Sequence, residues 1–313
     1  MQFETKYYSV KHKNKKIQNI SSSGGLFTAL SDLILEQGGI VVGGYYDYNA
    51  NDVNFKICRS KEERDSLRGS KYIQGNMTEI YQQIENEIRS QKESCCPIMF
   101  IGTPCQVVAI KNYLKSKGIN YPKLVLCDLI CHGVPSPGVW HSFFEKKVKK
   151  YNPQFITFKD KKIGWNQPLA YAESENRMVS LRGFTLLYFG RVIMRPSCHK
   201  CPYASTDRVG DISLGDHWNI GQIDSSFGDR NGVSLAIVNT EKGLALFDLC
   251  KNNIEWRERT REECLQQALE YPAAPNKWRK KFWNIYQYNE TFAIAVFDSI
   301  VAMEKIANKI FRK

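Results

Sequence analysis

The chain has 313 residues, 42% of them hydrophobic, so it can bury a substantial core as one large domain or two modest ones. Its polar start, MQFETKYYSVKHKNKK, offers no apolar stretch for a signal peptide, and no apolar run approaches the roughly 20 residues that span a bilayer. We therefore expect a cytoplasmic protein whose ten cysteines stay reduced.

The net charge of +12 comes from 44 Lys and Arg residues against 32 Asp and Glu residues. It is spread along the chain, with local runs in KHKNKK, FEKKVKK and KWRKKF. Such a charge attracts anionic cofactors, nucleic acid or an acidic protein. Because no nucleic-acid motif accompanies the runs, we expect a solvated basic surface and no nucleic-acid partner.

The first half of the chain alternates helix-like and strand-like segments. SSSGGLFTALSDLILEQGG predicts a capped helix, IVVGGYYD a buried strand and TEIYQQIENEIRSQ an amphipathic helix. PIMFIG predicts a strand before the turn TPCQ, VVAIKNYLKSKG a helix, and KLVLCDLI a third buried strand. This order predicts an α/β fold over residues 1–150, with a mainly parallel sheet and flanking helices.

Residues 151–313 predict a β-rich region and then a helical tail. FITFKDKKIGW, MVSLRGFTLLYFG and RVIMRPS are β-rich, and DISLGDHW and VSLAIVNT supply further strands. The tail, from about Asn276, carries an apolar stripe at Phe292, Val296, Ile300, Met303, Ile306 and Ile310. The stripe predicts a helix packed on the body of the protein, with contact to a membrane surface or a partner helix as the alternative.

Four cysteines lie in turns beside glycine, proline or short polar runs: Cys105 in GTPCQ, Cys131 in LICHG, and Cys198 and Cys201 in SCHKCPYA. A CxxC pair lets two sulfurs from one tight turn reach the same metal. GTPCQ and ICHG each follow a buried strand, and α/β proteins place ligands at the carboxyl edge of the sheet. Four thiols suit either zinc or an iron–sulfur cluster.

The other six cysteines lack paired spacing and are interpreted as structural residues: Cys58, Cys95, Cys96, Cys127, Cys250 and Cys264. Cys127 is the ambiguous one, because it lies four residues before Cys131. His132 is either an ordinary turn histidine or a group in proton transfer, and His199 is interpreted as an exposed filler of the CxxC turn.

Three further turns carry groups able to hold an anionic cofactor. SSSGG at residues 21–25 opens a helix, so it is either an anion site or an ordinary helix cap. RGSKY at residues 68–72 pairs a flexible Gly-Ser with the cations Arg68 and Lys71. GDHW at residues 215–218 is either a polar loop cluster or a cofactor contact through Asp216.

The segments SVKHKNKKIQNISSSGGLFTAL, LRGSKYIQGN, GTPCQVVAI, LICHGVPSP and SCHKCPYASTDRVGDISLGDHW occur in this order. In this order the chain resembles the coenzyme F-420 hydrogenase/dehydrogenase beta-subunit family from about residue 8 to about residue 240. The resemblance implies FAD and a 4Fe–4S cluster, with the cluster on Cys105, Cys131, Cys198 and Cys201. It also implies FAD contacts in three turns: Ser22, Ser23, Gly24, Gly25, Gly69, Ser70, Lys71, Tyr72, Thr103, Pro104 and Gln106. Asp216, the aspartate of GDHW, is added to them as a predicted cofactor contact.

The resemblance predicts a flavin-dependent iron–sulfur oxidoreductase that passes electrons between the cluster, FAD and an external donor or a small-molecule substrate. Many bacterial relatives begin with a cysteine-rich, ferredoxin-like segment, but the first cysteine here is Cys58. We therefore expect a separate ferredoxin-like partner, which an excess of positive charge would steer if that partner is acidic. The Lys-, Asn- and Ile-rich composition resembles versions from bacterial surface-polysaccharide gene sets, which argues against a deazaflavin substrate. The alternative from another class is a zinc-stabilised, non-catalytic assembly module.

Overall fold

The computed structural model describes residues 3–90, 96–167, 169–175 and 177–311, with only the backbone described at residue 298 and residues 304–311. Cys95 and the side chains of Ile306 and Ile310 therefore lie outside the described part of the chain.

An eight-stranded mixed sheet forms the centre of the molecule. Its order is β11 (Ile254–Arg259), β1 (Lys6–His12), β10 (Ser234–Val238), β9 (Ile212–Asp216), β5 (Leu124–Leu129), β4 (Ile98–Gly102), β2 (Ile40–Asp47) and β3 (Asp52–Cys58). The four strands β9, β5, β4 and β2 run parallel, and the outer strands pair antiparallel. The predicted α/β fold is confirmed. Because the sheet combines strands from both sides of residue 150, the division into 1–150 and 151–313 stays a prediction.

Helices cover both faces of this sheet. Twelve α-helices are described: α1 (Lys15–Ile20), α2 (Leu26–Glu36), α3 (Lys61–Asp65), α4 (Ile80–Ser90), α5 (Pro104–Ser116), α6 (Pro137–Phe143), α7 (Arg182–Phe189), α8 (Ile220–Ile223), α9 (Glu241–Cys250), α10 (Arg261–Cys264), α11 (Arg279–Tyr286) and α12 (Glu290–Phe311). Helices α2 and α9 pack on one face, and α4 and α5 pack on the other. The parallel strands are therefore buried on both sides, which explains their nearly continuous apolar sequences.

A second core lies beside the sheet. It combines a three-stranded antiparallel sheet, made of β6 (Phe155–Asp160), β7 (Leu169–Ser174) and β8 (Arg177–Ser180), with α6, α7, α11 and α12. Trp140, Phe184 and Phe297 fill its centre. This arrangement confirms the strand-rich region and the helical tail that the sequence predicts.

Two segments differ from their predictions. MVSLRGFTLLYFG contributes only the short strand β8, and its remainder forms α7, because Phe184, Leu187 and Tyr188 recur at helical spacing on one buried face. Packing against α12 thus overrides the β preference of the aromatic residues. RVIMRPS forms no strand: it begins in a turn with Arg191 at a φ of +62°, contains an isolated bridge between Met194 and Pro135, and ends in a 3-10 helix, Pro196–Lys200.

The C-terminal helix α12 packs on the body of the protein, as predicted, but the predicted stripe contributes only Val296 and Ile300, which are partly buried against the second core. Ala293, Ile294, Phe297 and Val301 are buried, whereas Phe292 is 54% and Met303 61% exposed. No helix over the described residues is both long enough and apolar enough to cross a membrane.

Candidate cofactor site

Cys105 lies where β4 meets α5. Thr103 caps α5, its N–H donates to the Gln106 Oε1 at 2.9 Å, and Pro104 occupies the first helical turn. This capping box fixes the turn so that the Cys105 thiol is exposed, 3.2 Å from the Thr103 hydroxyl. The Gln106 amide also donates to the carbonyl oxygen of Gly75 at 3.3 Å, so its polar atoms are already engaged by the protein.

The turn that bears Cys131 packs directly against the turn that bears Cys198. Main-chain hydrogen bonds join the two segments, from Arg195 N to Val134 O at 2.9 Å and from Ser136 N to Ile193 O at 2.8 Å. Gly133 allows this approach because its φ is +106° and a Cβ there would lie 3.2 Å from the Cys198 Cβ. Two cysteines 67 positions apart in sequence are thereby brought to one place.

The Cys131 and Cys198 thiols each lie within electrostatic range of the other predicted ligand thiols. The pKa of Cys131 is raised to about 12, first by burial and then by negative charge on Cys105, Cys198 and Cys201, although the Gly133 N–H bond to its sulfur lowers it. The pKa of Cys198 is raised by burial and by the charges of Cys201 and Cys105. Nevertheless, over the described residues no three Cys, His, Asp or Glu side chains are gathered closely enough to ligate a single ion.

A buried ion pair links the ends of the Cys131 and Cys201 turns. The Asp128 carboxylate, on β5, pairs with the Arg208 guanidinium and accepts hydrogen bonds from Gly210 N at 2.7 Å and Ser213 Oγ at 3.0 Å. Arg208 also donates to the carbonyl oxygen of Tyr203, which follows Cys201 by two positions. One arginine therefore ties the strand that leads to Cys131 to the loop that leaves Cys201.

The predicted small-residue turns also come together. The Ser70 N–H donates to the Ser22 hydroxyl at 2.6 Å, which joins the turn at residues 69–72 to the turn at residues 22–25. Gly24 lies against strand backbone, since a Cβ there would lie 2.2 Å from Val10 O, and Gly25 precedes α2 with a φ of +94°. Over the described residues no side chain caps α2, so the N-terminus of this helix, at Leu26, has no protein side chain as its hydrogen-bond acceptor.

Two lysines hold these turns through main-chain carbonyl groups. Lys161 donates to Gln18 O at 2.7 Å, to Ser23 O at 2.9 Å and to Asn231 O, and burial lowers its pKa to about 8. Lys71 donates to the carbonyl oxygens of its own turn, and burial lowers its pKa to about 7. The Lys71 ammonium is thus directed at the backbone.

Aromatic rings lie between the turn at residues 69–72, a predicted flavin contact, and the turn that bears Cys131. Tyr72 stacks on Tyr188 with ring centroids 5.0 Å apart, and the Tyr188 hydroxyl donates to Gly133 O at 2.8 Å. Burial raises the pKa of both phenols well above the ordinary value, so both remain neutral. The turn at residues 69–72 and the turn after Cys131 are therefore connected through two packed rings.

Asp216 anchors the other side of the site. Its carboxylate pairs with the buried Lys159 ammonium and accepts a hydrogen bond from the Trp165 indole at 3.0 Å. Its negative charge also raises the pKa of Tyr72. The sequence does not single out three residues of this region: Lys159, Lys161 and Trp165. All three lie in FKDKKIGW, at and just after the end of β6, and that position is the signal that could have identified them.

The remaining candidates have structural surroundings. Cys58, Cys127, Cys250 and Cys264 are buried and Cys96 is partly buried, in agreement with their interpretation, whereas Cys95 lies outside the described residues. His217 is buried between the Ser9 hydroxyl and the Glu263 carbonyl oxygen. The interpretation of His199 as exposed is wrong: it is partly buried, its Nδ1 lies 2.8 Å from Ala273 O, and its buried Nε2 has no partner among the described residues.

The residues present suit an iron–sulfur cluster and a zinc ion alike, since cysteine thiolates ligate both. Four thiols from three segments lie in one region, and the Gly133 N–H donates to the Cys131 sulfur at 3.3 Å, a kind of bond that tunes the potential of a cluster where one is bound. The open N-terminus of α2 beside Ser22 fits a phosphate of FAD.

The fold and site define an α/β protein whose candidate ligand turns lie at the carboxyl edge of a parallel sheet, beside a second strand-rich core. Residues 96–262 match the family model for the C terminus of the coenzyme F420 hydrogenase/dehydrogenase beta subunit. The match covers more than half of the chain, and the chain belongs to this family. Membership supports an oxidoreductase subunit of the hydrogenase/dehydrogenase type.

A solved structure shares the fold. It is a chain of the F420-reducing [NiFe] hydrogenase complex from Methanosarcina barkeri, from a study of its xenon derivatization. The TM-score is 0.51 at 18% sequence identity, and the match covers 82% of each chain. No curated protein matches the sequence.

Proposed function

We propose that this protein is a flavin-dependent iron–sulfur oxidoreductase subunit that exchanges electrons with a ferredoxin-like partner and acts on a small molecule in surface polysaccharide synthesis. The observation that carries the proposal is the direct packing of the Cys131 turn on the Cys198 turn, with Cys105 and Cys201 near enough to influence the same thiol. The nine free cysteines of the described chain suit the reducing cytoplasm that the proposal assumes.

The proposal assigns the cluster to Cys105, Cys131, Cys198 and Cys201. A 4Fe–4S cluster carries one electron at a time, and FAD exchanges hydride or single electrons. The protein's part is to hold the thiols, donate the Gly133 N–H to sulfur and exclude water with neighbouring rings. Arg279, whose pKa burial lowers, adds a cation within charge range of Cys198.

The flavin is assigned to the turns at residues 22–25, 69–72 and 103–106 and to Asp216. The open N-terminus of α2 would receive a phosphate, and Ser22, already bonded to Ser70, would fix the distance between two of these turns. The stacked pair Tyr72 and Tyr188 lies between these turns and Cys131, so it would separate the flavin from the cluster by packed protein.

Partners and location complete the proposal. The neighbour of known structure comes from a multi-subunit hydrogenase complex, which supports a protein partner for this chain as well. The net charge of +12 suits an acidic, ferredoxin-like protein. Contact of α12 with a membrane surface stays a prediction, for which exposed Phe292 and Met303 are the available residues.

The experiment is metal and flavin analysis of protein purified without air. We expect about four irons per chain and bound FAD. Serine at Cys131 or Cys198 should abolish the iron content, whereas the matched variant Cys264→Ser, a buried cysteine outside the site, should keep it. Colourless protein that carries one zinc would instead establish the assembly-module alternative.

A further inference from the structure

A cavity of about 500 Å³ has none of the residues of the candidate flavin turns in its lining. It lies between Trp165 and the segment 218–230, which contains α8. Its volume falls within the range of roughly 300 to 1,000 Å³ that is typical of small-molecule sites. Neither the cluster nor the flavin assignment accounts for it.

One wall of the cavity is a flat aromatic platform. Trp165 and Trp218 stack with centroids 4.9 Å apart and ring planes 7° from parallel. Trp165 is 3% exposed and is held by Gly232, where a Cβ would lie 2.9 Å from the indole, whereas Trp218 is 39% exposed. Trp218 is therefore supported by Trp165 and has the Lys159 ammonium over its ring, and its exposed part contributes apolar surface to the cavity wall, against which the C–H groups of a sugar ring pack.

The rest of the wall offers unused polar groups. Within the described chain, the side chains of five lining residues make no hydrogen bond or ion pair with protein: Asn166, Asn219, Gln222, Ser225 and Arg230. Amides both donate and accept, which matches hydroxyl groups, and an unpaired guanidinium matches a phosphate or carboxylate. Asp229, in contrast, is occupied by Lys15 at 3.2 Å and by Asn231 N at 2.8 Å.

We infer that this cavity binds a sugar ring that carries an anionic group. The platform fits the ring, the amides its hydroxyls and Arg230 its phosphate or carboxylate. The cavity is connected to the redox site through Asp216, which holds both Trp165 and Lys159, and the Lys159 ammonium lies 4.8 Å from the centre of the Trp218 ring. The binding of this sugar does not depend on the proposed function. Its role as the substrate does rest on the proposed function.

Binding is measured by titration calorimetry on the full chain purified without air. The probes are glucose 1-phosphate, UDP-glucose, neutral methyl glucoside and inorganic phosphate. We expect at least one phosphorylated sugar to bind at least about tenfold more tightly than either the neutral sugar or phosphate alone. The phosphorylated probe that binds more tightly distinguishes a free sugar phosphate from a nucleotide-linked sugar.

The variants Trp218→Ala and Arg230→Ala should each weaken binding at least about tenfold, with flavin and iron content unchanged. Arg230→Lys should recover part of the affinity. The matched control is Trp256→Ala, which removes an indole of similar exposure, 37%, from the edge strand β11.

The inference is overturned if no phosphorylated sugar binds at millimolar concentration, or if both variants bind as tightly as the wild type. It is also overturned if Trp218→Ala loses the flavin, because the cavity would then belong to that cofactor. A chain that binds the sugar but contains neither iron nor flavin would refute the proposed function and keep the site.

Discussion

Replacement of Arg208 tests whether its ion pair with Asp128, which we call the clamp between the Cys131 and Cys201 turns, stabilises the fold. The side chains of Arg208 and Asp128 are both buried, and the guanidinium bonds the Asp128 carboxylate, the Ser213 hydroxyl at 3.1 Å and the Tyr203 carbonyl oxygen at 3.0 Å. Arg208→Met would leave a buried carboxylate with hydrogen bonds but no counter-charge. We expect a loss of about 3–5 kcal/mol in the free energy of unfolding, a large part of the roughly 5–15 kcal/mol typical of a domain.

A double-mutant cycle separates the pair from its surroundings. Asp128→Leu combined with Arg208→Met should cost less than the sum of the single changes by about 2 kcal/mol, because no charge is then left unpaired. Arg257→Met is the matched control, since Arg257 pairs with Asp224 at 2.5 Å but is about half exposed. It should cost less than about 1 kcal/mol.

The assay is urea unfolding at pH 7, followed by circular dichroism, with iron content measured on the same samples. The iron content of Arg208→Met should fall, because the loop that leaves Cys201 loses its connection to β5. A cost below about 1 kcal/mol for Arg208→Met, or one equal to that of Arg257→Met, would refute the clamp.

Three further changes test the packing of the site. Gly133→Ala should lower the free energy of unfolding by about 2–4 kcal/mol and lower the iron content, because a Cβ at this positive φ would lie 2.1 Å from Met194 Cε. Gly118→Ala is the control, also at positive φ but with open space around it, and it should cost only about 1 kcal/mol. Equal losses of stability in the two variants would contradict the contact. Lys161→Met should reduce the rise of stability with pH, because the lowered pKa of Lys161 means that the unfolded chain binds more protons between about pH 8 and 10.5. This lysine adds at most about 1.4 kcal/mol per pH unit to the wild-type slope, while Lys71, whose pKa is also lowered, keeps its own contribution, and identical slopes for variant and wild type would contradict the assignment. Tyr188→Phe should lower the free energy of unfolding by about 1 kcal/mol, because it loses the hydrogen bond to Gly133 O. Tyr188→Leu should lower it by about 1 kcal/mol more, because it also loses the stacking on Tyr72. If thermal unfolding shows Tyr188→Leu to be as stable as Tyr188→Phe, the stacking contributes nothing.

The elements of the parallel sheet could be predicted because each has a strong local signal. PIMFIG and KLVLCDLI are short apolar runs bounded by turn residues, and α5 begins at a proline preceded by a capping threonine. Segment 182–189 could not be predicted in the same way, because its aromatic residues favour strands and its helix depends on contact with α12. The most buried residues of α12 were missed because Ala293, Ile294, Phe297 and Val301 are apolar like the predicted stripe that runs beside them.

The parts of the candidate site that could be predicted are those formed by cysteines in turns, because cysteine is a rare residue and its thiol is a metal ligand. Cys131 and Cys198 are examples, since thiols beside glycine or proline are conspicuous even without knowledge of their packing. Lys159 and Lys161 could not be recognised, because lysines are common and only tertiary burial distinguishes these two from solvated ones. Arg208 was missed for the same reason, since its partner lies 80 positions away.

An anaerobic reductive titration tests the central claim most directly, because it counts the electrons that the chain can accept. With one FAD and one 4Fe–4S cluster, the protein should take up about three electron equivalents per chain, two at the flavin and one at the cluster. An uptake of about two would contradict the assignment of the four cysteines to a cluster, and no uptake would contradict a redox function altogether.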